Sequence, residues 1–493
     1  MKIKNDRSAF YGTLGETIDI YQAEHAAAAA FAKLGGYSSA TRVRCKVVVG
    51  HDDSPAADMM TSAVCAALCA SGADVITLGL VPSGAVSYLT CVCDAMMGVM
   101  ITGGSYDRNV SGLKFYQKDG RQVTGELLQA IHDATDVGTS VSCKYAGSIS
   151  QADPAVIGMY KRNLADASGY TMFESLKVAV DCTGSACAPF VKYVLEQLGA
   201  SVSLMSGSDT DKPGSYSFEN PSLLIDYVRD TESDIGFAFS ADGEICIVAL
   251  PDGRVLDSER LAEVFGRVYG KAYNNEDITP VIMISDNCHI ALAPYIKSMG
   301  AETKTVTGDY SYLAEEYAAF DSVIMAVDRF NGIIFPRRAY VPDGLMTAVM
   351  LLSCMNRMGM SIVELSSAVP KLIRSATTVI IPSGAFIPVL RTTDLEEEIR
   401  VKRSYLSGDG RVLMYRPESN KVEIIVEGIK VQQVNQVIEE VEALLRKNLR
   451  VPDGTSIYRR PSENNEPKPA AQPAAQSEVQ PAEGEYVDFK KES

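Results

Sequence analysis

Three times along the chain, a short apolar run is followed by helical spacing and then by another apolar run. The first series comprises Lys46–Gly50 (KVVVG), a helical stretch over Asp58–Ser71, Asp74–Gly79 (DVITLG) and Met96–Thr102, which leads into a Gly-Ser-Asp-Asn loop. The second begins at Lys177–Asp181 (KVAVD) and continues through a small-residue loop at Thr183–Ala186. A helix over Phe190–Leu198 and strands at Ser201–Met205 and Ile235–Phe239 complete it. The third begins with VIMIS after Pro280, followed by a helix through Met299 and strands at Thr303–Thr307 and Ser322–Ala326. Continuous apolar strands alternating with helices specify largely parallel sheets covered by helices, an α/β class. The remainder differs. Thr377–Pro382, Arg411–Arg416 and Val422–Glu427 have strand patterns and Val431–Leu449 is an amphipathic helix, so a small α+β unit closes the folded part.

At 493 residues the chain is too long for one core. We expect three mixed α/β domains over 1–150, 151–262 and 263–368, and an α+β domain over 369–450. The segment 451–493 is expected to be a disordered acidic tail, because a Pro-, Ala-, Gln- and Glu-rich composition buries too little surface to fold. From Pro461 on, it carries seven acids against three lysines. Its end, Tyr486-Val-Asp-Phe, is either a solvated tail or a short peptide ligand, through which a protein partner would bind.

A net charge of −16 argues against broad nucleic-acid binding, and anionic sugar phosphates would need a local basic patch. No apolar run reaches about 18 residues, so no membrane insertion is expected. The eleven cysteines are odd in number and scattered through apolar runs without a C-x-x-C pair, as in a reduced, cytoplasmic protein.

Seven segments, in order over about residues 1–450, resemble the α-D-phosphohexomutases. YGTLGE at Tyr11–Glu16 is similar to their F-G-T-x-G opening, VVVGHDDSP at Val47–Pro55 to V-V-x-G-R-D-x-R-x-S, and LGLVPSGAVSY at Leu78–Tyr88 to L-G-x-x-P-T-P. MITGGSYDRNVSGLKFY at Met100–Tyr116 resembles the catalytic I-T-A-S-H-N-P stretch ending in N-G-x-K-x-Y. Asp234–Leu261 resembles the metal-binding stretch, and Gly332–Leu352 the segment after the sugar-recognition loop. RPESNKVEIIVEG at Arg416–Gly428 resembles the phosphate-binding R-P-S-G-T-E-P-K. The resemblance implies four domains around a central cleft. It also implies transfer of a phosphoryl group between positions of a hexose phosphate, through a phosphoserine and with a Mg²⁺ ion neutralising charge.

Each chemistry-bearing loop departs from that pattern. Aligned without gaps, the family's serine falls on Gly104, and Ser105 follows one place later. Ser105 is therefore either a displaced phosphoacceptor or a turn serine; successive Cα atoms lie about 3.8 Å apart, and catalysis is sensitive to such shifts. The metal loop D-x-D-x-D-R becomes Ser240-Ala-Asp242-Gly-Glu244-Ile245, so Ser240, Asp242 and Glu244 form either a weak Mg²⁺ site or a polar turn capped by Asp242-Gly243. The recognition loop G-E-x-S-G-H becomes Val327-Asp328-Arg329-Phe330-Asn331-Gly332. Asp328 stands where the family's acid accepts sugar hydroxyls, Asn331 lies within the same loop, and Arg329 suits either a phosphate or a salt bridge to Asp328. The phosphate loop is two residues shorter, leaving Arg416, Ser419, Asn420 and Lys421 as donors to an anion or as an E-S-N-K turn. Thr17, His51 and Ser54 stand where the family has arginines.

Structural positions thus match while the reactive loops all differ. Two functional expectations follow: a catalytically impaired homologue acting as a binding or regulatory protein, a sugar-phosphate sensor included, or a divergent active mutase using Ser105, the Asp242–Glu244 loop and Arg416, Ser419 and Lys421. The stretch Thr305–Tyr310 (TVTGDY) resembles a G-D-R-Y segment of the phosphoglucosamine mutases.

Overall fold

The computed structural model describes residues 2–3, 8–36, 44–103, 110–136, 145–205, 217, 220–272, 279–306, 310–317, 322–329, 332–367, 373–380, 393–406, 410–418, 421–449 and 458–460. Four sheets organise them. The first contains β1 (Lys2–Ile3), β2 (Phe10–Thr13), β3 (Lys46–His51), β4 (Asp74–Leu80), β5 (Met97–Thr102), β6 (Val110–Gln117) and β7 (Ile149–Gln151) in the order β1-β2-β6-β5-β3-β4-β7. The second contains β8 (Lys177–Asp181), β9 (Ser201–Leu204), β10 (Ile235–Phe239), β11 (Cys246–Ala249) and β12 (Val255–Leu256), ordered β12-β11-β10-β8-β9. The third contains β13 (Val281–Ser285), β14 (Glu302–Val306), β15 (Val323–Asp328) and β16 (Gly332–Ile334), ordered β14-β13-β15-β16. The fourth, entirely antiparallel, contains β17 (Ile373–Ile380), β18 (Arg411–Glu418), β19 (Lys421–Gly428) and β20 (Tyr458–Arg460), ordered β18-β19-β17-β20.

The first three sheets share one device. A buried parallel strand (β5, β10 or β15) turns back into an antiparallel neighbour (β6, β11 or β16). The three connections hold the residues that the sequence marks as the serine, metal and recognition loops. In open α/β sheets, ligands gather at the carboxyl ends of parallel strands, where these connections lie. In the fourth sheet, the phosphate-loop residues fall at the β18–β19 connection, with Glu418 paired to Lys421.

One apolar cluster runs from Val48 to Leu365 and joins the first three sheets, whereas the fourth has its own, built on Val379, Leu406, Ile424, Val434 and Val441. The chain past residue 450, expected to be tail, contributes β20, whose Tyr458–Arg460 pairs with β17. Pairing to a distant edge gives this short segment an order its local composition does not signal. Residues 461–493 lie outside the described residues.

The helix Gly344–Met358 is almost wholly buried and starts at Asp343, whose side chain accepts the Met346 N–H at 3.0 Å and the Tyr160 hydroxyl at 2.8 Å. It stops at Gly359, which is left-handed with φ +59°. Gly84 packs so closely on the cap that a Cβ there would lie 2.2 Å from Asp343 Oδ2. Burial pushes the Asp343 carboxyl up to about 6, against the pull of its hydrogen bonds. Its unfolded value is lower, so the folded state holds this proton more tightly. The associated stability is complete below about pH 4 and is lost as pH rises through about 6. Asp343→Asn removes this dependence: between pH 4 and 7, urea unfolding is expected to show the variant gaining about 3 kcal/mol relative to the parent.

Candidate functional site

Asp52 follows β3 and is fully buried. Its Oδ2 accepts the Thr102 hydroxyl at 2.7 Å and the Gly103 N–H at 2.9 Å, and its Oδ1 accepts the Ser54 N–H at 3.0 Å. Asp52 thereby fixes the start of the serine connection, and burial pushes its carboxyl above the ordinary range. Ser105 lies outside the described residues. His51 makes local contacts, with Nδ1 2.8 Å from the Asp52 carbonyl and Nε2 3.8 Å from Asp58. Thr17 accepts the Thr13 N–H at 2.8 Å.

The centre of the site is Lys114, on β6 of the first sheet, with a side chain 2% exposed. Its Nζ lies 2.8 Å from Asp242 Oδ2 and 2.5 Å from Glu244 Oε1, both on the β10–β11 connection of the second sheet. Burial alone would favour the neutral amine, but the two carboxylates overcome it and hold the pKa well above the usual lysine value. Burial likewise works against the Asp242 anion, and Lys114 more than compensates, so its carboxyl titrates below the ordinary range.

The connection is closed by its own hydrogen bonds. Ser240 Oγ donates to Asp242 Oδ1 at 2.7 Å and accepts the Ile245 N–H at 3.1 Å. The Glu244 N–H reaches Asp242 Oδ1 at 3.3 Å, and Gly243 turns the chain with φ +71°. The Ser83 N–H donates to the Asp242 carbonyl at 2.9 Å, a second tie between the first and second units. The structure thus brings Ser240, Asp242 and Glu244 together, as the sequence pattern anticipates, but around an ammonium group.

In the third unit, Asp328 ends β15, is buried, and accepts a hydrogen bond from Asn287 Nδ2 at 3.0 Å. Arg329 reaches across to Glu423 on β19 of the fourth sheet, Nη2 to Oε1 at 3.8 Å. Asn331 and Ser419 lie outside the described residues, as do the side chains of Arg416 and Lys421. Sequence reasoning gave no role to Lys114, Asp52 or Asn287. A lysine inside the apolar run GLKFY was the available signal for the first, since lysine is rarely buried without a partner.

A model of the phosphoglucomutase/phosphomannomutase α/β/α domain I matches residues 11–141. A phosphoglucosamine mutase of Clostridium botulinum (strain Loch Maree, type A3) is 26% identical over 423 residues, 83% of this chain and 91% of that protein. A Burkholderia thailandensis phosphoglucomutase/phosphomannomutase family structure superposes with a TM-score of 0.73 at 18% identity, covering 93% of this chain and 99% of that one. Residues 11–141 thus match domain I of the phosphoglucomutases and phosphomannomutases, and the chain as a whole is similar to the α-D-phosphohexomutases in sequence and fold. Another protein with this fold, the Aspergillus fumigatus N-acetylphosphoglucosamine mutase, has been solved in complex with GlcNAc-6P and magnesium, with a TM-score of 0.55 at 13% identity over 75% of this chain and 94% of that one.

In this chain, the donor set does not fit such an ion. Mg²⁺ requires near-octahedral oxygens at about 2.0–2.1 Å. Here Asp242 Oδ2 and Glu244 Oε1 face Lys114, Asp242 Oδ1 is occupied by a hydroxyl and an N–H, and the Ser240 hydroxyl is engaged on both sides. Among the described residues, no three His, Cys, Asp or Glu side chains converge as a metal site. Lys114→Met leaves two buried carboxylates without their cation and is expected to cost roughly 3–5 kcal/mol in urea unfolding. Lys114→Met combined with Asp242→Asn and Glu244→Gln should recover much of that loss. In Mn²⁺ titrations followed by electron paramagnetic resonance, the parent should leave the ion free, whereas Lys114→Ala should take it up.

Proposed function

We propose that the chain is a phosphohexomutase homologue that binds hexose phosphates in its cleft, has little or no magnesium-dependent mutase activity, and acts as a cytoplasmic binding or regulatory protein of sugar-phosphate metabolism. The observation that carries this reading is the Lys114 ammonium held between Asp242 and Glu244. Phosphoryl transfer depends on an aligned nucleophile and on positive charge at the transferring oxygens. Gly104, without a side-chain oxygen, stands at the gapless nucleophile position, and the charge of Lys114 is already engaged by two carboxylates. Binding places fewer demands on the loops. Asp328 and Asn331 would take sugar hydroxyls, and Arg329, Arg416, Ser419 and Lys421 would face the phosphate. The described cysteines are free thiols, which fits a reducing compartment.

A second reading, a divergent active mutase with Ser105 as phosphoacceptor, is favoured by the near end-to-end likeness to the clostridial phosphoglucosamine mutase. Phosphorus-31 NMR separates the two, using Mg²⁺, a catalytic amount of hexose 1,6-bisphosphate and glucose, mannose or glucosamine 1-phosphate in turn. We expect no 6-phosphate resonance, together with a rise in melting temperature when the same sugar phosphates bind the folded protein. A 6-phosphate signal that disappears in Ser105→Ala would establish the active mutase instead.

A further inference from the structure

Among the described residues, the fourth unit shares no apolar cluster with the other three, and it is seated through charge. Arg374 of β17 forms ion pairs with Glu259, at the start of the helix Ser258–Ala272 that packs against the third sheet, at 2.5 Å and with Glu427 of β19 at 2.6 Å. Glu427, with no exposed side-chain surface, also pairs with Arg411 of β18 at 2.8 Å. Arg411 then crosses into the third unit. Its Nη1 donates to the Asp286 carbonyl at 2.6 Å and its Nη2 to the Cys288 carbonyl at 2.5 Å. The same turn is held on its other side, where Glu427 accepts the Ile290 N–H at 3.2 Å and Glu259 accepts the His289 N–H.

The residue between the two clamped carbonyls is Asn287. Its side-chain Nδ2 donates to Asp328 Oδ2 at 3.0 Å, and its side-chain Oδ1 accepts the Arg329 N–H at 3.4 Å. A guanidinium holding two carbonyls bidentately fixes both the position and the tilt of the peptide planes between them. The direction in which Asn287 presents its amide is therefore set by a side chain from another unit. We propose that Arg411 is a positioning residue for sugar recognition: through the 286–288 turn and Asn287 it orients the Asp328 carboxylate, so that seating of the fourth unit makes the recognition acid competent. This inference rests on the proposed reading of Asp328 as the acid that accepts sugar hydroxyls.

The test is calorimetric titration of the full chain with glucosamine 1-phosphate and, separately, with inorganic phosphate, which has no hydroxyls of a sugar to recognise. Asp328→Asn serves as reference. Asn287→Ala and Arg411→Ala should each weaken the sugar phosphate about tenfold, as expected for a displaced polar contact, and leave inorganic phosphate within about twofold. The Asn287→Ala/Arg411→Ala double variant should be no weaker than either single variant, since both act through one path. Arg411→Lys, which keeps the charge but lacks the fork, should resemble the alanine variant. Equal loss for both ligands, additive losses in the double variant, or unchanged sugar-phosphate affinity in Asn287→Ala while Asp328→Asn loses it would overturn the proposal. Asn287→Ala leaves the ion network intact, so it decides the matter even if Arg411→Ala fails to fold. If Asp328→Asn itself binds as the parent does, the reading of Asp328 falls, and this inference with it.

Discussion

A buried ammonium must bring its counter-charges with it, and Lys114 brings them from another unit. The first sheet supplies the cation and the second supplies Asp242 and Glu244, so neither unit can bury its charge alone. The Ser83 N–H to Asp242 carbonyl bond and the Gly344 N–H to Gly243 carbonyl bond, at 2.8 Å, fix the same turn to the first and third units. Much of what joins the first three units therefore converges on one six-residue connection, and Asp343, which caps the helix beginning at Gly344, stands directly behind it.

The same convergence explains what was legible in the sequence. Strands such as Lys177–Asp181 and Ile235–Phe239 match the expected bounds residue for residue, because burial on both faces gives an unbroken apolar run. Segments that owe their order to a distant partner left weaker traces: Tyr458–Arg460 becomes a strand by pairing with β17. The candidate site divides in the same way. Ser240, Asp242 and Glu244 were recognisable as a cluster through the resemblance of their loop to D-x-D-x-D-R, and Asp328 through its place in the recognition-loop motif. Lys114 as their cation, Asn287 as the partner of Asp328 and Glu423 as that of Arg329 all depend on contacts between elements far apart in sequence, which no local pattern encodes.

Two kinds of junction follow from these contacts. The first three units are joined by a shared apolar cluster, which resists sliding because close-packed interiors have few alternative arrangements. The fourth is joined by Arg374, Arg411, Glu259 and Glu427, whose pairing depends on geometry and is lost in whole steps if the unit shifts. Glu427 is held below the usual carboxylate range by these neighbours despite its burial, so it remains ionised, and the junction charged, across physiological pH.

Electrostatics then distinguishes the β10–β11 connection from the fourth unit. At that connection, one ammonium faces two carboxylates, with buried Asp52 nearby, so the connection offers no surplus positive charge to a phosphoryl group. An incoming dianion is repelled there unless cations reach it from elsewhere. The remaining arginine and lysine of the conserved-order motifs, Arg416 and Lys421, belong to the fourth unit, and Arg329 already leans toward it through Glu423. On the proposed reading phosphate capture would fall to the unit seated by ion pairs and sugar recognition to the third, with the turn that Arg411 clamps between them. On that reading the protein would sense a hexose phosphate rather than move its phosphoryl group, because the Lys114 charge is already engaged by Asp242 and Glu244.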